Sequence, residues 1–495
     1  MGQFGRDATR GQRTHAVVLG AGMAGLLAAR VLAGHFGQVT VVDRDRLPEH
    51  PRFRPGVPQS RHLHVLLGRG LECLEQLFPG FEADLIAASA PVVEGSESLW
   101  LNAAGWSRRY QSPIRLLGAS RELVEWQART RVTALDNVQV LEGCEAVGLL
   151  TDPGRAAVTG VRLRARDGRA DKSGPATEVA ADLVVDASGR QSRAPQWLAE
   201  VGYQRPAETT ISSLLGYASR QYAIPAGFKM DWRMLVINAK PPGNARSGAV
   251  VPIEGGRWMV ALIGAGRDHP PTDDAGFLEF ARGLRGPLLY ETIKDAEPAS
   301  PIYGFRNTDN RRRHFERLRR WPDQFMVIGD ASCTFNPIYA QGMTVTAMTA
   351  VALDHILAEH WRRSDTDPLG HARQAQRQMV RTSAGAWTMA TTEDLRYPWT
   401  EGARLDLPTR IMHRYADRVL EVANRNPKVN TAFVNVVNLR HPRPPSSIPG
   451  SCWRSWPGTE PHRSPTHRPP PGRCCTDLTD SPRPGPPSCQ NGTAA

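Results

Sequence analysis

Three glycines near the start of the chain have the spacing of a phosphate-binding turn. They are Gly20, Gly22 and Gly25 in the stretch "VVLGAGMAGLLAARVL", and Asp43 follows the last of them by 18 residues. The first glycine permits a tight turn, the second lets the backbone approach a pyrophosphate, and the third lets a helix pack closely on a strand. A carboxylate at Asp43 is placed to bind a ribose 2′-hydroxyl. The pattern predicts a dinucleotide site; a tight turn that merely needs glycine is the alternative.

A second set of small and acidic residues lies much later in the chain, in "VIGDASCTFNPIYAQGM" (327–343). An apolar run ends there in Gly329-Asp330, which supplies an unhindered turn and a carboxylate that could bind a ribose hydroxyl. The stretch "LVVDASG" (183–189) has the same form and contains Asp186. Three nucleotide-facing strand ends are therefore predicted, widely separated in the sequence.

The apolar periodicity indicates the elements that must carry these residues. Residues 14–45 read as strand, glycine turn, helix and strand, which is one βαβ unit and implies a parallel sheet. Residues 247–266 read as two strands joined at Gly255-Gly256, a hairpin that belongs in an antiparallel sheet. After Met343 the pattern turns helical.

The later set of residues also bears on whether the dinucleotide is NAD or FAD. An NAD domain completes its site early in a chain, whereas Gly329-Asp330 returns to the ligand after a long excursion. Two further motifs are "RPGVPQSRHLH" (54–64) and "ASRELVEW" (119–126). From about residue 14 to residue 439 the chain resembles the flavoprotein monooxygenases of the aromatic hydroxylase type, including the branch that epoxidises polyketide and terpenoid alkenes.

The resemblance implies a role for each motif in holding FAD. The Asp330 carboxylate would hold the ribityl chain and pyrophosphate side, and Arg54 would meet the pyrophosphate. Arg121 would begin a helix near the cofactor, with a surface salt bridge as the alternative. Asp186 would lie near flavin and nicotinamide, although Asp-Ala-Ser-Gly replaces the family's commoner Asp-Gly. The flavin-facing residues would be Pro337, Gln341, Gly342 and Met343. The predicted cofactor-binding residues are Gly20, Gly22, Gly25, Asp43, Arg54, Arg121, Asp186, Gly329, Asp330, Gly342 and Met343.

The element order and the resemblance together predict the fold class. We expect an α/β protein in which a Rossmann-like FAD-binding domain with a parallel sheet is interleaved with an antiparallel-sheet substrate domain and followed by a C-terminal helical segment. A chain of 495 residues exceeds what one hydrophobic core usually serves. From Pro442 the sequence has no apolar period and cannot bury a face. The predicted boundaries are 14–195 and 300–360 for the discontinuous FAD-binding domain, with part of 80–115 as a candidate for the substrate domain, 200–299 for the substrate domain, 361–440 for C-terminal helices and 442–495 for a disordered tail.

Composition argues against several other partners. The net charge is +12, but the arginines are spread along the sequence without a nucleic-acid-binding motif, so no nucleic-acid partner is expected. His62 and His64 form an H-x-H without a third ligand, so no metal is expected. No apolar run approaches about 18 residues and the N-terminus lacks a signal-peptide core, which predicts a cytoplasmic protein without an integral membrane segment. The run "RRRHFERLRR" (311–320) is either a site for the phosphate of NADPH or a solvated surface helix.

The predicted function is an FAD-dependent monooxygenase. After reduction of FAD, O2 would add to give a flavin C4a-hydroperoxide, whose outer oxygen would pass to an apolar alkene or arene of secondary metabolism by epoxidation or hydroxylation. No catalytic residue is assigned, because the cofactor carries the chemistry. The substrate would lie over the antiparallel sheet, near Trp232, Trp258 or Tyr222, although these aromatics are more typical of a core than of a pocket.

Electrons would come from NADPH or NADH as a transient reductant. Gly264-Ala-Gly266 ends a hairpin strand and does not open a second βαβ unit, so no resident nicotinamide domain is expected. A partner flavin or NADPH reductase is the other source. The alternative functions are an FAD-dependent reductase or dehydrogenase and a non-enzymatic prenyl-binding escort of the same fold. A flavin halogenase is disfavoured, since Trp453-Arg-Ser-Trp456-Pro457 does not match its Trp-x-Trp-x-Ile-Pro signature.

Overall fold

The computed structural model describes residues 14–111, 115–166, 175–363 and 372–440. The strands in these residues are β1 (His15–Leu19), β2 (Gln38–Val42), β3 (Val92–Val93), β4 (Ser98–Asn102), β5 (Gly105–Trp106), β6 (Leu116–Leu117), β7 (Val138–Leu141), β8 (Cys144–Thr151), β9 (Val158–Ala165), β10 (Thr177–Ala180), β11 (Leu183–Asp186), β12 (Glu208–Ile211), β13 (Gly216–Ala223), β14 (Met234–Ile237), β15 (Arg246–Ile253), β16 (Arg257–Gly264), β17 (Tyr303–Phe305), β18 (Asn310–Arg313), β19 (Phe325–Val327) and β20 (Cys333–Thr334).

The helices in the same residues are α1 (Met23–Leu32), α2 (Gly68–Leu77), α3 (Phe81–Ala87), α4 (Arg121–Thr133), α5 (Ala194–Glu200), α6 (Asp274–Arg282), α7 (Leu288–Ile293), α8 (Gly342–Arg363), α9 (Ala372–Arg381), α10 (Ala384–Asp394), α11 (Leu407–Ala423) and α12 (Pro427–Val437).

A parallel sheet of five strands brings the predicted strand ends together. Its order is β19-β11-β1-β2-β7, and every neighbouring pair runs parallel. Leu19 at the end of β1 lies opposite Asp186 at the end of β11, which in turn lies opposite Val327 at the end of β19. Because the carboxyl ends of parallel strands meet at one edge, the turns after these three strands are neighbours. The predicted α/β fold with a parallel sheet is confirmed.

A second sheet of seven strands, in the order β17-β13-β16-β15-β14-β4-β5, is antiparallel except where β14 runs parallel to β4. The predicted hairpin is β15 and β16, and both turn glycines, Gly255 and Gly256, have positive φ angles of 73° and 66°. Strands β4 and β5 reach this sheet from residues 98–106, before the chain completes the parallel sheet. The two sheets are therefore woven from interleaved segments.

One face of the seven-stranded sheet is closed by helices. Tyr222, Trp232 and Trp258 are at most 2 % exposed there and pack in one cluster with Phe277 of α6 and Leu289 of α7. The structure thus places the three candidate substrate-facing aromatics in the core. Side chains on a strand alternate between faces. The opposite face of β13 therefore carries Tyr217 and Ser219.

The arginine-rich run after residue 310 is not the surface helix that its charge suggested. Residues Asn310–Arg313 form β18, which pairs with β12 and β20 in a three-stranded antiparallel sheet. Ion pairs neutralise two arginines of this strand: Arg312 pairs with Glu316 at 2.9 Å, and Arg313 pairs with Glu208 at 2.9 Å. These guanidinium groups are already bound to carboxylates, so the geometry lends no support to an NADPH-phosphate site at this pair.

The C-terminal part that the structure describes is helical, as predicted. The helix α11 begins after Asp406, whose carboxylate accepts a hydrogen bond from the Thr409 amide at 2.9 Å, and α12 follows at Pro427. No helix of the described residues is long and apolar enough to cross a membrane. The predicted tail, 442–495, lies outside the described residues, and the domain boundaries stay a prediction.

Candidate functional site

The glycine turn between β1 and α1 depends on close contacts that exclude side chains. A β-carbon on Gly25 would lie 1.7 Å from the carbonyl oxygen of Gly20, so the helix can approach the turn only with glycine there. Gly20 itself has a φ angle of 100°, which favours glycine. A β-carbon on Gly22 would meet no atom nearer than the Arg54 guanidinium, at 4.0 Å. Gly22 therefore leaves open space beside the turn, as a ligand that approaches the backbone requires.

The first residues of α1 offer unpaired amides to that space. Gly22 caps the helix without a side-chain hydrogen bond, and no acidic residue occupies its first turn. The first amides of a helix lack intrahelical partners and carry the positive end of the helix dipole. A phosphate group would satisfy both conditions.

Asp43 lies at the end of β2, directly beside the glycine turn. Its carboxylate accepts hydrogen bonds from the Ala21 amide at 2.6 Å, the Asp45 amide at 2.8 Å and the Arg54 guanidinium at 3.2 Å. The predicted proximity of Asp43 to the turn is observed. Its contact with a ribose stays a prediction.

Arg54 and Arg121 are joined by a buried acid that the sequence analysis did not single out. Glu125 accepts from Arg54 Nε at 2.8 Å and pairs with Arg121 at 2.7 Å, and all three side chains are at most 7 % exposed. Burial opposes the ionisation of Glu125, but the charges of Arg121 and Arg54 outweigh it and lower the pKa of this carboxyl. The spacing of Arg121 and Glu125, four residues apart on a helix, is the signal that could have revealed the pair.

The two arginines differ in whether their guanidinium nitrogens already have hydrogen-bond partners. Arg54 also donates to the Ala21 carbonyl at 3.0 Å and to Asp45 at 3.0 Å, so a pyrophosphate would have to share or replace one of these acceptors. Arg121 is not at the surface, which excludes the surface salt bridge as its role. Its Nη1 is buried and has no hydrogen-bond partner in the part of the chain that the structure describes.

The Gly329-Asp330 turn lies against the first helix. Gly329 has a φ angle of 59°, and a β-carbon on it would lie 2.7 Å from the Ala24 side chain. The Asp330 carboxylate makes no hydrogen bond within the described ranges. Burial raises its pKa, and the positive charges of Arg190, Arg121 and Arg311 oppose that shift.

Asp186 is fully buried, and both of its carboxylate oxygens accept hydrogen bonds from the turn that follows it. One carboxylate oxygen accepts from the amide of Ser188 at 2.9 Å and from the Ser188 hydroxyl, and the other accepts from the Ser192 hydroxyl. Burial raises the pKa of Asp186 although these hydrogen bonds oppose it. The residue shapes the Asp-Ala-Ser-Gly turn, and its contact with flavin or nicotinamide stays a prediction.

The segment from Pro337 to Met343 forms a turn followed by a long helix. A single 3-10 turn spans Pro337–Tyr339, Ala340 takes a left-handed conformation with φ 54°, and α8 begins at Gly342. The Oε1 of Gln341 is buried without a hydrogen-bond partner among the described residues. A β-carbon on Gly342 would meet nothing within 4 Å. Open space, a buried unpaired acceptor and a helix N-terminus therefore occur together.

These features fit FAD. Its diphosphate would lie on the amides of α1 beside Gly22, its ribityl chain near Asp330, and its ring along the segment that begins at Pro337. Two buried polar atoms of this site, Arg121 Nη1 and Gln341 Oε1, lack partners among the described residues, and the half-buried Asp330 carboxylate accepts no hydrogen bond there. All three residues belong to the motifs for which the family resemblance implies FAD contacts. A buried polar group without a partner costs free energy, so a ligand that supplies one is stabilised.

His62 and His64 lie beside this site, in surroundings that keep them neutral. Burial lowers the pKa of each to about 4, assisted by the charge of Arg61 for His62 and of Arg121 for His64. His62 Nδ1 is 2.9 Å from the Ser219 hydroxyl. The described residues contain no group of three or more potential metal ligands.

We expect acid to destabilise the protein through His62. Its folded pKa lies below the unfolded value of about 6.5, so the unfolded state binds more protons and stability falls as the pH falls from about 6.5 towards 4. The loss should be about 2 kcal/mol between pH 7 and pH 5. Urea unfolding at both pH values should show a smaller loss for His62→Gln than for wild type, with His355→Gln, at an exposed position of α8, as the control. Equal losses in His62→Gln and wild type would contradict this assignment.

Comparison with known proteins agrees with this geometry. The family model described as "FAD binding domain" matches residues 13–384. The chain is 33% identical to Protein Rv3254 of Mycobacterium tuberculosis over 436 residues, covering 86% of this chain and 90% of that protein. It is 26% identical to a kynurenine 3-monooxygenase of Salinispora arenicola over 363 residues, 70% of this chain and 73% of the relative.

A solved structure has the same fold over most of its length. The flavin-dependent brominase Bmp2 superposes with a TM-score of 0.60 at 15% identity, covering 86% of this chain and 94% of the brominase. At this identity the likeness concerns the fold alone. The chain belongs to the FAD binding domain family, within the superfamily of aromatic-hydroxylase-like flavoprotein monooxygenases.

Proposed function

We propose that this protein is an FAD-dependent monooxygenase that transfers one oxygen atom from O2 to an apolar alkene or arene of secondary metabolism, by epoxidation or hydroxylation. The observation that carries the proposal is a buried apolar and aromatic cluster next to the turn that is predicted to face the flavin. Leu215, Tyr217 and Ile263 of the antiparallel-sheet region and Tyr397 form one buried cluster, and Ile338 of the turn packs against it. The named monooxygenase relatives support an organic substrate and O2 as the reactants.

The proposed substrate surface is the face of the seven-stranded sheet opposite to α6 and α7. On β13 it presents Tyr217 and Ser219, while Ala218 and Tyr222 point to the helix-covered core. The ring of His62 lies over this face, 6.4 Å from the ring of Tyr217 and 5.4 Å from that of Phe305, measured between ring centroids. A neutral imidazole among aromatic rings suits an apolar substrate better than a charged one.

FAD, when bound and reduced, activates O2 and supplies the oxygen atom that is transferred. The residues of the chain bind FAD and orient the substrate. Backbone amides at the start of α8 would stabilise negative charge on the reduced ring, because that helix end carries the positive end of the dipole. The apolar side chains around Tyr217 would exclude water from the reacting atoms. This division of labour needs no nucleophilic side chain.

The proposed electron donor is a transient NADPH or NADH, or a partner flavin or NADPH reductase. Strand β16 ends at Gly264 in the hairpin sheet, and the next helix, α6, begins only at Asp274. A β-carbon on Gly264 would lie 1.6 Å from the Asp268 carbonyl, so this glycine serves a local turn. The Gly-Ala-Gly stretch therefore lends no support to a second dinucleotide site.

Isotope-labelled oxygen tests the proposed reaction. The FAD-loaded protein is reduced with NADPH in the absence of air, mixed with a panel of apolar polyenes and phenols in a buffer that contains chloride and bromide, and exposed to ¹⁸O2. We expect a product that gains one ¹⁸O atom in mass analysis. Hydrogenated or dehydrogenated product without O2 uptake would instead establish a reductase or dehydrogenase, and halide incorporation would establish a halogenase. If the purified protein cannot be loaded with FAD but binds a prenyl compound, the escort function is established instead.

A further inference from the structure

The last residue of α10, Asp394, is a buried acid that belongs to none of the sequence motifs. Its side chain is completely buried. The carboxylate accepts hydrogen bonds from Asn310 Nδ2 at 2.6 Å, from Asn336 Nδ2 at 3.0 Å and from the Tyr339 hydroxyl at 2.8 Å. No cation pairs with it among the residues that the structure describes. A buried anion with three neutral donors and no counterion is a costly arrangement that needs an explanation.

The donors belong to the turn that is predicted to face the flavin and to the strand beside it. Asn336 and Tyr339 enclose Pro337, and Asn310 begins β18. The remaining polar atoms of the two asparagines also fix the turn, because Asn336 Oδ1 accepts from the Ile338 amide at 3.2 Å and Asn310 Oδ1 accepts from the Asn336 amide at 2.7 Å. The backbone course through the turn therefore depends on the acid behind it.

The proposed substrate surface adjoins the same acid. Tyr217, Tyr339 and Tyr397 are the titratable groups that face Asp394 from the sheet, the turn and the segment after α10. Burial raises the pKa of each, and the charge of Asp394 raises it further. The neighbouring Glu393 pairs with Arg396 at 2.7 Å. The Tyr217 hydroxyl is buried without a hydrogen-bond partner in the described ranges.

We propose that Asp394 is a positioning residue that fixes the Asn336–Tyr339 turn between the flavin ring and the substrate surface. The identity of the substrate surface in this inference rests on the proposed function. The link between Asp394 and the turn does not depend on it. Burial also raises the pKa of Asp394 to about 6, although its hydrogen bonds to Tyr339 and Asn336 oppose the shift. Protonation near pH 6 would remove one acceptor and loosen the turn. The three tyrosines do not change charge near that pH.

The test compares Asp394→Asn with wild type by FAD binding and by the absorbance of the bound flavin. The amide has the shape of the carboxylate but turns an NH2 group towards one of the three donors, which then lacks an acceptor. We expect FAD to bind about tenfold more weakly. In wild type the flavin absorbance should change in one step near pH 6, and the step should be absent from Asp394→Asn. Asp417→Asn, at an exposed acid on α11, is the matched control and should behave as wild type.

Tyr339→Phe keeps the ring and removes one donor, so it provides a second variant if Asp394→Asn does not fold. It should shift the pH of the absorbance step, because one hydrogen bond that favours the ionised carboxyl is lost. An absorbance step that persists unchanged in both variants would assign the titration to another acid, such as Asp186 or Asp330, and overturn the proposal. These readouts need neither substrate nor oxygen transfer. A failure of the proposed monooxygenase reaction would leave them unchanged, so the two failures are distinguishable.

Discussion

Replacing Gly25 with alanine should destabilise the protein and abolish FAD retention. The new methyl group would lie 1.7 Å from the Gly20 carbonyl oxygen, so α1 must move away from the turn that precedes it. Overpacking of this kind costs about 1–3 kcal/mol or more, and the contact here is backbone, which cannot move aside cheaply. Urea unfolding of the flavin-free protein should show the loss of stability, and the purified variant should contain no FAD.

Gly22→Ala is the matched control for this prediction. Its methyl group would have open space, with the Arg54 guanidinium 4.0 Å away, so the flavin-free protein should keep its stability to within about 0.5 kcal/mol. FAD should nevertheless bind more weakly, because the methyl group occupies the space through which a pyrophosphate approaches the backbone. If Gly25→Ala is as stable as Gly22→Ala and retains FAD, the assignment of the turn is wrong.

Replacing Asp330 with asparagine should weaken FAD binding without weakening the fold. The Asp330 carboxylate is half-buried and makes no hydrogen bond within the described residues, so replacing it deprives the fold of no hydrogen bond. A charge-assisted hydrogen bond to a ligand hydroxyl contributes about 1.5–3 kcal/mol, so FAD affinity should fall roughly 10- to 150-fold. Fluorescence titration of the flavin-free protein with FAD measures the affinity.

The control for Asp330→Asn is Asp274→Asn. Asp274 begins α6, on the helix-covered side of the seven-stranded sheet, and its side chain is 76 % exposed. It pairs with Arg220 of β13. The Asp274→Asn variant should bind FAD as the wild type does. Unchanged affinity in Asp330→Asn, or an equal loss in both variants, would remove Asp330 from the cofactor site.

Local patterns were sufficient to predict the elements that carry the glycine turn and the hairpin. Apolar spacing around Gly20 predicted a βαβ unit, and the Gly255-Gly256 pair predicted the turn between β15 and β16, because backbone conformation at these points depends on adjacent residues. The neighbourhood of Asp186 and Asp330 followed from the parallel sheet. In each case the deciding residues are close in sequence or are brought together by one topological rule.

The local sequence patterns did not predict pairings between residues that are distant in the sequence. The run after residue 310 has the charge of a surface helix, yet β18 forms because β12 and β20 flank it and Glu208 pairs with Arg313 from a distant segment. Tertiary pairing here overrides local propensity. Asp394 has no local signal at all, since its three donors lie 84, 58 and 55 positions away in the sequence.

Calorimetric titration of the flavin-free wild-type protein with FAD determines whether three strand ends from distant parts of the chain form one FAD site. We predict saturable binding of one FAD per chain, with the bound flavin released intact on denaturation because no residue is assigned a covalent link. Absence of binding, or binding that Gly22→Ala and Asp330→Asn leave unchanged, would show that these strand ends do not form an FAD site.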